Sequence, residues 1–207
     1  MLAAVAIGSS GLIAPPPPVA GAPAAEVITY FTAHHGGLEI ESVNLSVGMM
    51  LLILFAATLH ARIGVVASLT ALAAAVAIAA CTLMEVAAFQ ALIYRPDPDP
   101  ARAILLNDLQ DFGFQVTTFP ALLFLAASCY AILSSGALPR ILGWSAALAS
   151  GLQAVAWVSF FAPTGRLAAG GIPSIIAFVA LLSWTVACSI TMSARPFDEA
   201  RNFSGVT

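Results

Sequence analysis

Apolar residues fall in five long runs, at 43–59, 63–93, 112–133, 141–161 and 171–192, separated by short polar breaks. Each run is at or near the roughly 20 residues a helix needs to cross a bilayer. A sixth run, 1–14, reaches only roughly 21 Å as a helix, short of a hydrocarbon core of about 30 Å. Ala22-Pro23-Ala24 resembles a small-residue cleavage site, but the run lacks the positive flank of a signal peptide. A short retained first helix is therefore preferred to a cleaved signal or a truncated first helix. The pattern predicts an all-α, polytopic transmembrane helical bundle, with five long helices plus a short N-terminal hydrophobic helix. The whole chain, 1–207, reads as a single integral membrane domain.

The breaks differ in kind. Residues 15–42 begin with APPPPVAGAPAAEV, which is expected to run extended, and continue as ITYFTAHHGGLEIES, a polar connection with at most one short surface turn. Residues 94–103 carry RPDPDPAR, a stiff connector in which each X-Pro pair disfavours helix. By contrast, His60 to Gly64 and Gly136 to Arg140 read as tight turns between antiparallel helices. Long connections on one side and tight turns on the other predict an up-and-down bundle. Small residues repeat every fourth position at Ala67, Ala71, Ala75 and Ala79, and at Gly143, Ala147 and Gly151. Such stripes let helix backbones approach closely in lipid. Pro120 is expected to kink the fourth helix, and Gln153 to bond between helices.

Composition narrows the class without changing this outline. Of 207 residues, 60% are hydrophobic and 8% charged, against about 25% charged in soluble domains. The formal net charge is -3, and all seven basic residues are arginine. No basic cluster exists to hold nucleic acid. Cys81, Cys129 and Cys188 each sit within an apolar run, as free core thiols do. Arg62, Arg140, Arg195 and Arg201 share the tight-turn side, which the positive-inside bias places in the cytoplasm. The expectation is a bacterial inner-membrane protein whose tail, 194–207, is cytoplasmic and whose loops, 15–42 and 94–103, are extracytoplasmic.

Candidate chemistry is sparse. Glu85 lies in TLMEVAAFQ, one of the most apolar stretches. It is 23 residues from Arg62, or roughly 34 Å along a helix, and about 20° of tilt shortens this only to roughly 32 Å. Glu85 is thus expected at the outer boundary of the bilayer. Counting back from Arg140 puts Gln115 at roughly 37 Å and Asp111 at roughly 43 Å, in the same layer. Asp108, Asp111 and Gln115 occupy i, i+3 and i+7, one helical face. Glu85, Gln90, Asp108, Asp111 and Gln115 therefore form a candidate polar layer. It can bind a cation or share a proton; alternatively, Asp108 and Asp111 merely offset the dipole at the fourth helix's N-terminus, with Arg95 and Arg102 at hand for ion pairing. His34, His35, Glu39 and Glu41 are a weaker set that could coordinate a transition metal, although adjacent histidines point apart and a solvated loop is the plainer reading. No nucleophile motif, phosphate loop or haem-ligand pair occurs, and no cofactor is implied.

The segments APAAEVITYFTAHHG, LHARI, LNDLQDFGFQVTTFPALLFLAAS and GALPRILGW are spread in order over residues 22–144. Together they resemble small multi-pass membrane proteins of actinobacteria classed as a domain of unknown function. That resemblance implies topology and carries no catalytic residues across. The resulting expectation is a non-enzymatic bundle that packs with a membrane-protein partner or second copy, or shelters a hydrophobic or lipid ligand. The alternative is a small transporter or channel using the outer carboxylate layer.

Overall fold

The computed structural model describes residues 15, 17–95, 99–159, 161 and 172–194. The run 1–14, the tail beyond 194, Asp97 and Arg166 lie outside them. The described residues form helices α1 (Ala24–Ala33), α2 (His35–Ile63), α3 (Val66–Ile93), α4 (Pro100–Val116), α5 (Thr118–Ser135), α6 (Arg140–Ser159) and α7 (Ile172–Ala194). Five segments are long and apolar enough to cross a membrane, α4 and α5 together making one of them. The all-α bundle expected from the hydrophobic pattern is therefore the architecture observed.

Outward faces explain why lipid is the solvent. Met50, Leu54, Leu148 and Val179 are each more than half exposed. Every 100 Å² of such apolar surface would cost about 2.5 kcal/mol in water and nothing comparable against acyl chains. Several hydroxyl groups on these helices are satisfied by folding back onto carbonyls of their own helix, although the buried hydroxyls of Ser42, Ser128 and Ser174 find no partner. Thr58 donates to Leu54, Thr185 to Leu181 and Ser189 to Thr185, at 2.7 to 2.9 Å.

Inside, α3 packs against α2, α4 and α5, while α6 lies between α5 and α7. The aromatic rings of Phe55 (α2), Phe124 (α5) and Trp184 (α7) meet edge to face, with centroids 5.7 to 6.5 Å apart. This packing brings α7 back to α2. The Trp184 indole N–H donates to the Leu142 carbonyl at 2.9 Å, so the buried ring also ties α7 to α6. Gln153 donates to the Ala177 carbonyl at 3.0 Å, the interhelical bond expected of it. Ala71, Ala75 and Ala79 line the core, and Gly143 backs onto Leu133. Gly151, expected in the same seam, is exposed instead.

Two turns are set by glycines in the left-handed region. Gly64 (φ 69°) ends α2 and donates to the His60 carbonyl, and Gly136 (φ 64°) ends α5 and donates to the Ile132 carbonyl. In the first turn, the Ser68 hydroxyl donates to the Val65 carbonyl and so accepts from His60 Nδ1 at 2.8 Å.

Three expected boundaries are corrected. The segment 15–42 is not a loop throughout: Ala24–Ala33 is helical, and α2 starts at His35 rather than at 43. Val27 and Phe31 of α1 pack with Leu38 of α2, Phe89, Leu92 and Ile93 of α3 and Ala103 of α4 in a second core. That burial outweighs the helix-weakening Gly36-Gly37 pair. Secondly, the connector 94–103 ends early, because Pro100 begins α4 from the first helical position, where its missing N–H costs nothing. Thirdly, the crossing expected over 112–133 starts at Pro100 instead and is interrupted at Thr117, three residues before Pro120. Pro120 cannot donate to the Val116 carbonyl. Around the break, the hydroxyls of Thr117 and Thr118 donate to the carbonyls of Gly113 and Gln115 at 3.0 and 2.7 Å.

Candidate functional site

Helix α4 turns its polar side inward. Asn107, Gln110 and Gln115 are buried, whereas Leu105, Leu109, Phe112 and Val116 are exposed. This reverses the amphipathicity of a soluble surface helix and is the arrangement by which membrane proteins keep polar groups among neighbouring helices. The close approach of α4 to α3 centres on Gly113: a methyl group built there would lie 3.3 Å from Glu85 Cβ. The absent side chain leaves room for the Glu85 carboxyl to run along α4.

Three carboxylates from three helices lie near one level without converging on a shared point. Asp111 of α4, Glu41 of α2 and the Gln110 side chain of α4 all lie within electrostatic reach of Glu85 of α3. The Gln110 oxygen is buried without a donor. Buried polar atoms without partners are costly, and Gln115 Nε2 and Asn107 Oδ1 are two more of them beside the same layer.

The N-terminal strap closes the other side of α4. The backbone N–H of Ala20 donates to Asp111 Oδ2 at 3.1 Å, and that of Gly21 to Asp108 Oδ1 at 2.9 Å. Asn107 Nδ2 donates to the carbonyls of Pro18 and Val19 at 3.2 and 3.4 Å. Prolines supply carbonyls but no donors, so a proline-rich strap suits an amide such as Asn107. Tyr30 of α1 donates its hydroxyl to the Pro15 carbonyl. Burial, and secondarily the Glu41 charge, pushes the Tyr30 phenol from an ordinary 10.0 up to about 12.

These contacts revise the expected site. Asp108 and Asp111 do not cap a helix start, since α4 begins eight residues before Asp108; they hold the strap. Arg95 and Arg102 pair with none of these carboxylates, the ion-pair contact among the described residues being His35 with Glu39 at 3.9 Å. Gln115 is buried in the layer as expected. Gln90 lies about 140° around α3 from Glu85, and its side chain makes no hydrogen bond to the layer among the described residues. The metal reading of His34, His35, Glu39 and Glu41 gives way too. His34 is spent on the Tyr30 carbonyl at 2.9 Å, Glu41 turns toward Tyr30 and Glu85, and no group of three or more such side chains converges among the described residues. Glu41, Asn107 and Gln110 are the members that sequence reasoning missed. Asn107, Gln110 and Asp111 are spaced i, i+3 and i+4, a helical face that was readable.

Fold and site define the class: a multi-pass, all-α integral membrane protein with a polar layer near one end of its bundle. In comparison with known proteins, no protein-family model, curated protein or solved structure matches the chain.

Proposed function

We propose that the protein is a non-enzymatic membrane protein of transporter or channel type that binds a small cation or a proton in its outer polar layer. The observation that supports this is the placement of Glu41, Glu85 and Asp111 on three helices within electrostatic reach of one another at Glu85, with no arginine paired to them among the described residues. Like charges brought together out of water repel strongly, and a bound positive species relieves that repulsion. The bilayer in question is a bacterial inner membrane with the chain's C-terminus in the cytoplasm. Reconstitution into liposomes tests the reading: pH- or cation-driven flux is expected from the wild type and lost in Glu85→Gln. Equal flux from both proteins would remove the reading's main residue.

A second reading, packing with a membrane partner or second copy, is favoured by one feature. Leu105, Leu109, Phe112, Val116 and Phe119 form an exposed apolar stripe. The 36 residues of Pro100–Ser135 extend roughly 54 Å, well beyond a core of about 30 Å. The outer turns of the stripe therefore need cover besides acyl chains. A cysteine at Leu105 would crosslink to a partner in intact membranes on this reading, and would stay monomeric otherwise.

A further inference from the structure

The strap is held by its backbone. None of the side chains of Pro15, Pro17, Pro18, Val19 and Ala20 is buried, and Val19 is 69% exposed, so little apolar surface anchors the segment. Its partners address main-chain atoms instead. Asn107 donates to the carbonyls of Pro18 and Val19, while Asp111 and Asp108 accept from the N–H groups of Ala20 and Gly21. Val19 to Ala22 form a β-turn, closed by the Ala22 N–H on the Val19 carbonyl at 3.1 Å, with Gly21 at φ 83°. That is the left-handed third position of a type II turn, and the turn's own bond leaves the N–H groups of the two central residues free to donate. Residues 15–18 and 23 are prolines, which have no N–H. Sliding the strap along α4 by two residues either way therefore puts a proline where a donor is needed, and release means lifting off.

We propose that the strap is a lid on the polar layer, latched through the turn's two free N–H groups, and that a cation entering the layer competes with it for the oxygens of Asp111 and Asp108. Closed, the lid sits on Asn107, which is polar yet 1% exposed, and engages Asp111 Oδ2, an oxygen of the layer itself. The closed state leaves Asn107 Oδ1 buried without a donor, a cost that water removes when the lid lifts. Ala22 packs on the second core with Val27, Phe31 and Phe89, so α1 stays in place while the strap swings at Gly21. A glycine tolerates the wide backbone change a hinge requires. At the far end a single exposed bond, from Tyr30 to the Pro15 carbonyl, holds the strap. Segments with so few buried contacts open locally without unfolding the rest. A cation on the carboxylates repels the partial positive charge of the two N–H groups beside it, which loosens the latch.

This inference rests on the layer being a cation or proton site, and the test keeps the two apart. On the full chain in lipid nanodiscs, carboxyl labelling with a water-soluble carbodiimide and glycine ethyl ester, read by mass spectrometry, measures access to Asp108 and Asp111. Ala20→Pro suits the second position of the turn and deletes one latch donor. Asn107→Leu deletes the two carbonyl bonds and leaves both carboxylate bonds standing. In each variant, labelling at Asp108 and Asp111 is expected to rise at least several-fold, with amide exchange at Ala75 and Phe124 of the main core unchanged. Should Asn107→Leu disturb the core, Ala20→Pro carries the test from an unburied position. A rise in Ala20→Pro alone, with the core intact in both, overturns the lid, since a lid opens as one piece whereas separate bonds break singly; no rise in either overturns it too. Sodium or calcium added to the wild type should speed amide exchange at Ala20 and Gly21, and exchange unmoved by both ions overturns the competition. Flux from liposomes is read separately. A several-fold gain in Ala20→Pro over wild type supports the lid, and equal flux overturns its control of the layer while keeping the transport reading. Raised labelling with no flux from either protein keeps the lid and overturns transport.

Discussion

Gly113 backs onto Glu85 so closely that a methyl group on its Cα would sit 3.3 Å from Glu85 Cβ. Alanine there adds helix propensity worth about 1 kcal/mol and needs α3 to yield by a few tenths of an ångström. These effects oppose each other, and Gly113→Ala should unfold within about 1 kcal/mol of wild type. Gly113→Val brings further methyl groups and should cost about 1–3 kcal/mol. Reversible unfolding in detergent, with both variants measured side by side, checks the difference; equal stability would mean that α3 and α4 are not held this closely.

The small-residue stripe on α6 makes a sharper contrast. A methyl group on Gly143 would come 2.7 Å from Leu133 Cγ and Cδ2, whereas one on Gly151 would meet nothing within 4 Å. Gly143→Ala should therefore cost about 1–3 kcal/mol, and Gly151→Ala should be neutral or stabilising by up to about 1 kcal/mol. Pairing Gly143→Ala with Leu133→Ala should recover part of the loss as a non-additive coupling. Additive costs in that double-mutant cycle would contradict the contact.

Removal of both strap acceptors is expected to free the strap while sparing the bundle. Hydrogen bonds to charged acceptors contribute about 1.5–3 kcal/mol when well sheltered; Asp108 and Asp111 are only partly buried, so about 1 kcal/mol for each is the discounted expectation. In Asp108→Ala with Asp111→Ala, hydrogen exchange at the Ala20 and Gly21 amides should accelerate at least several-fold. Exchange at Ala75 and Phe124, in the main core, should not change. Unaltered protection of Ala20 would show that the strap is held by something else.

Tyr30 offers a pH readout. Its folded-state pKa of about 12 lies above the ordinary 10.0, so between these values the folded chain holds a proton that the unfolded chain has lost. Its contribution to stability is therefore complete below pH 10 and fades as pH rises toward 12. Phenolate absorbance should show a late-titrating tyrosine that disappears in Tyr30→Phe. In Glu41→Gln the same transition should move down only part of the way, because burial is the larger cause and the Glu41 charge the smaller. No movement in Glu41→Gln would separate Glu41 from Tyr30.

Much of the bundle is legible in the sequence because lipid imposes a simple demand: runs such as 63–93 must be apolar along their whole length, and they betray themselves by it. The break at Gly64 is equally plain. What hid was structure whose stability comes from distant contacts. His34-His35-Gly36-Gly37 looks like a turn, and becomes the start of α2 because Leu38 is buried against Val27, Phe31 and Phe89. Asp99-Pro100 carried a helix-start signal, which the surrounding prolines of RPDPDP masked. The site followed the same pattern. Depth arithmetic brought Glu85, Asp111 and Gln115 to one level, but Glu41 was hidden by its place in a presumed loop. No local rule could reveal that the backbone of Ala20 and Gly21 would meet Asp111 and Asp108, because partners separated by 91 and 87 residues are joined only by the fold.

The left-handed glycines at 64 and 136 close their turns with few residues to spare, and both stand at the end of the bundle opposite Glu85. Helices joined so tightly can tilt but cannot slide. Rigid tilting of α2 against α3, or of α5 against α6, therefore acts as a lever with its fulcrum at these turns. Displacement is smallest there and grows along each helix, so for a given angle Glu41 and Glu85 travel much further than residues beside the turns.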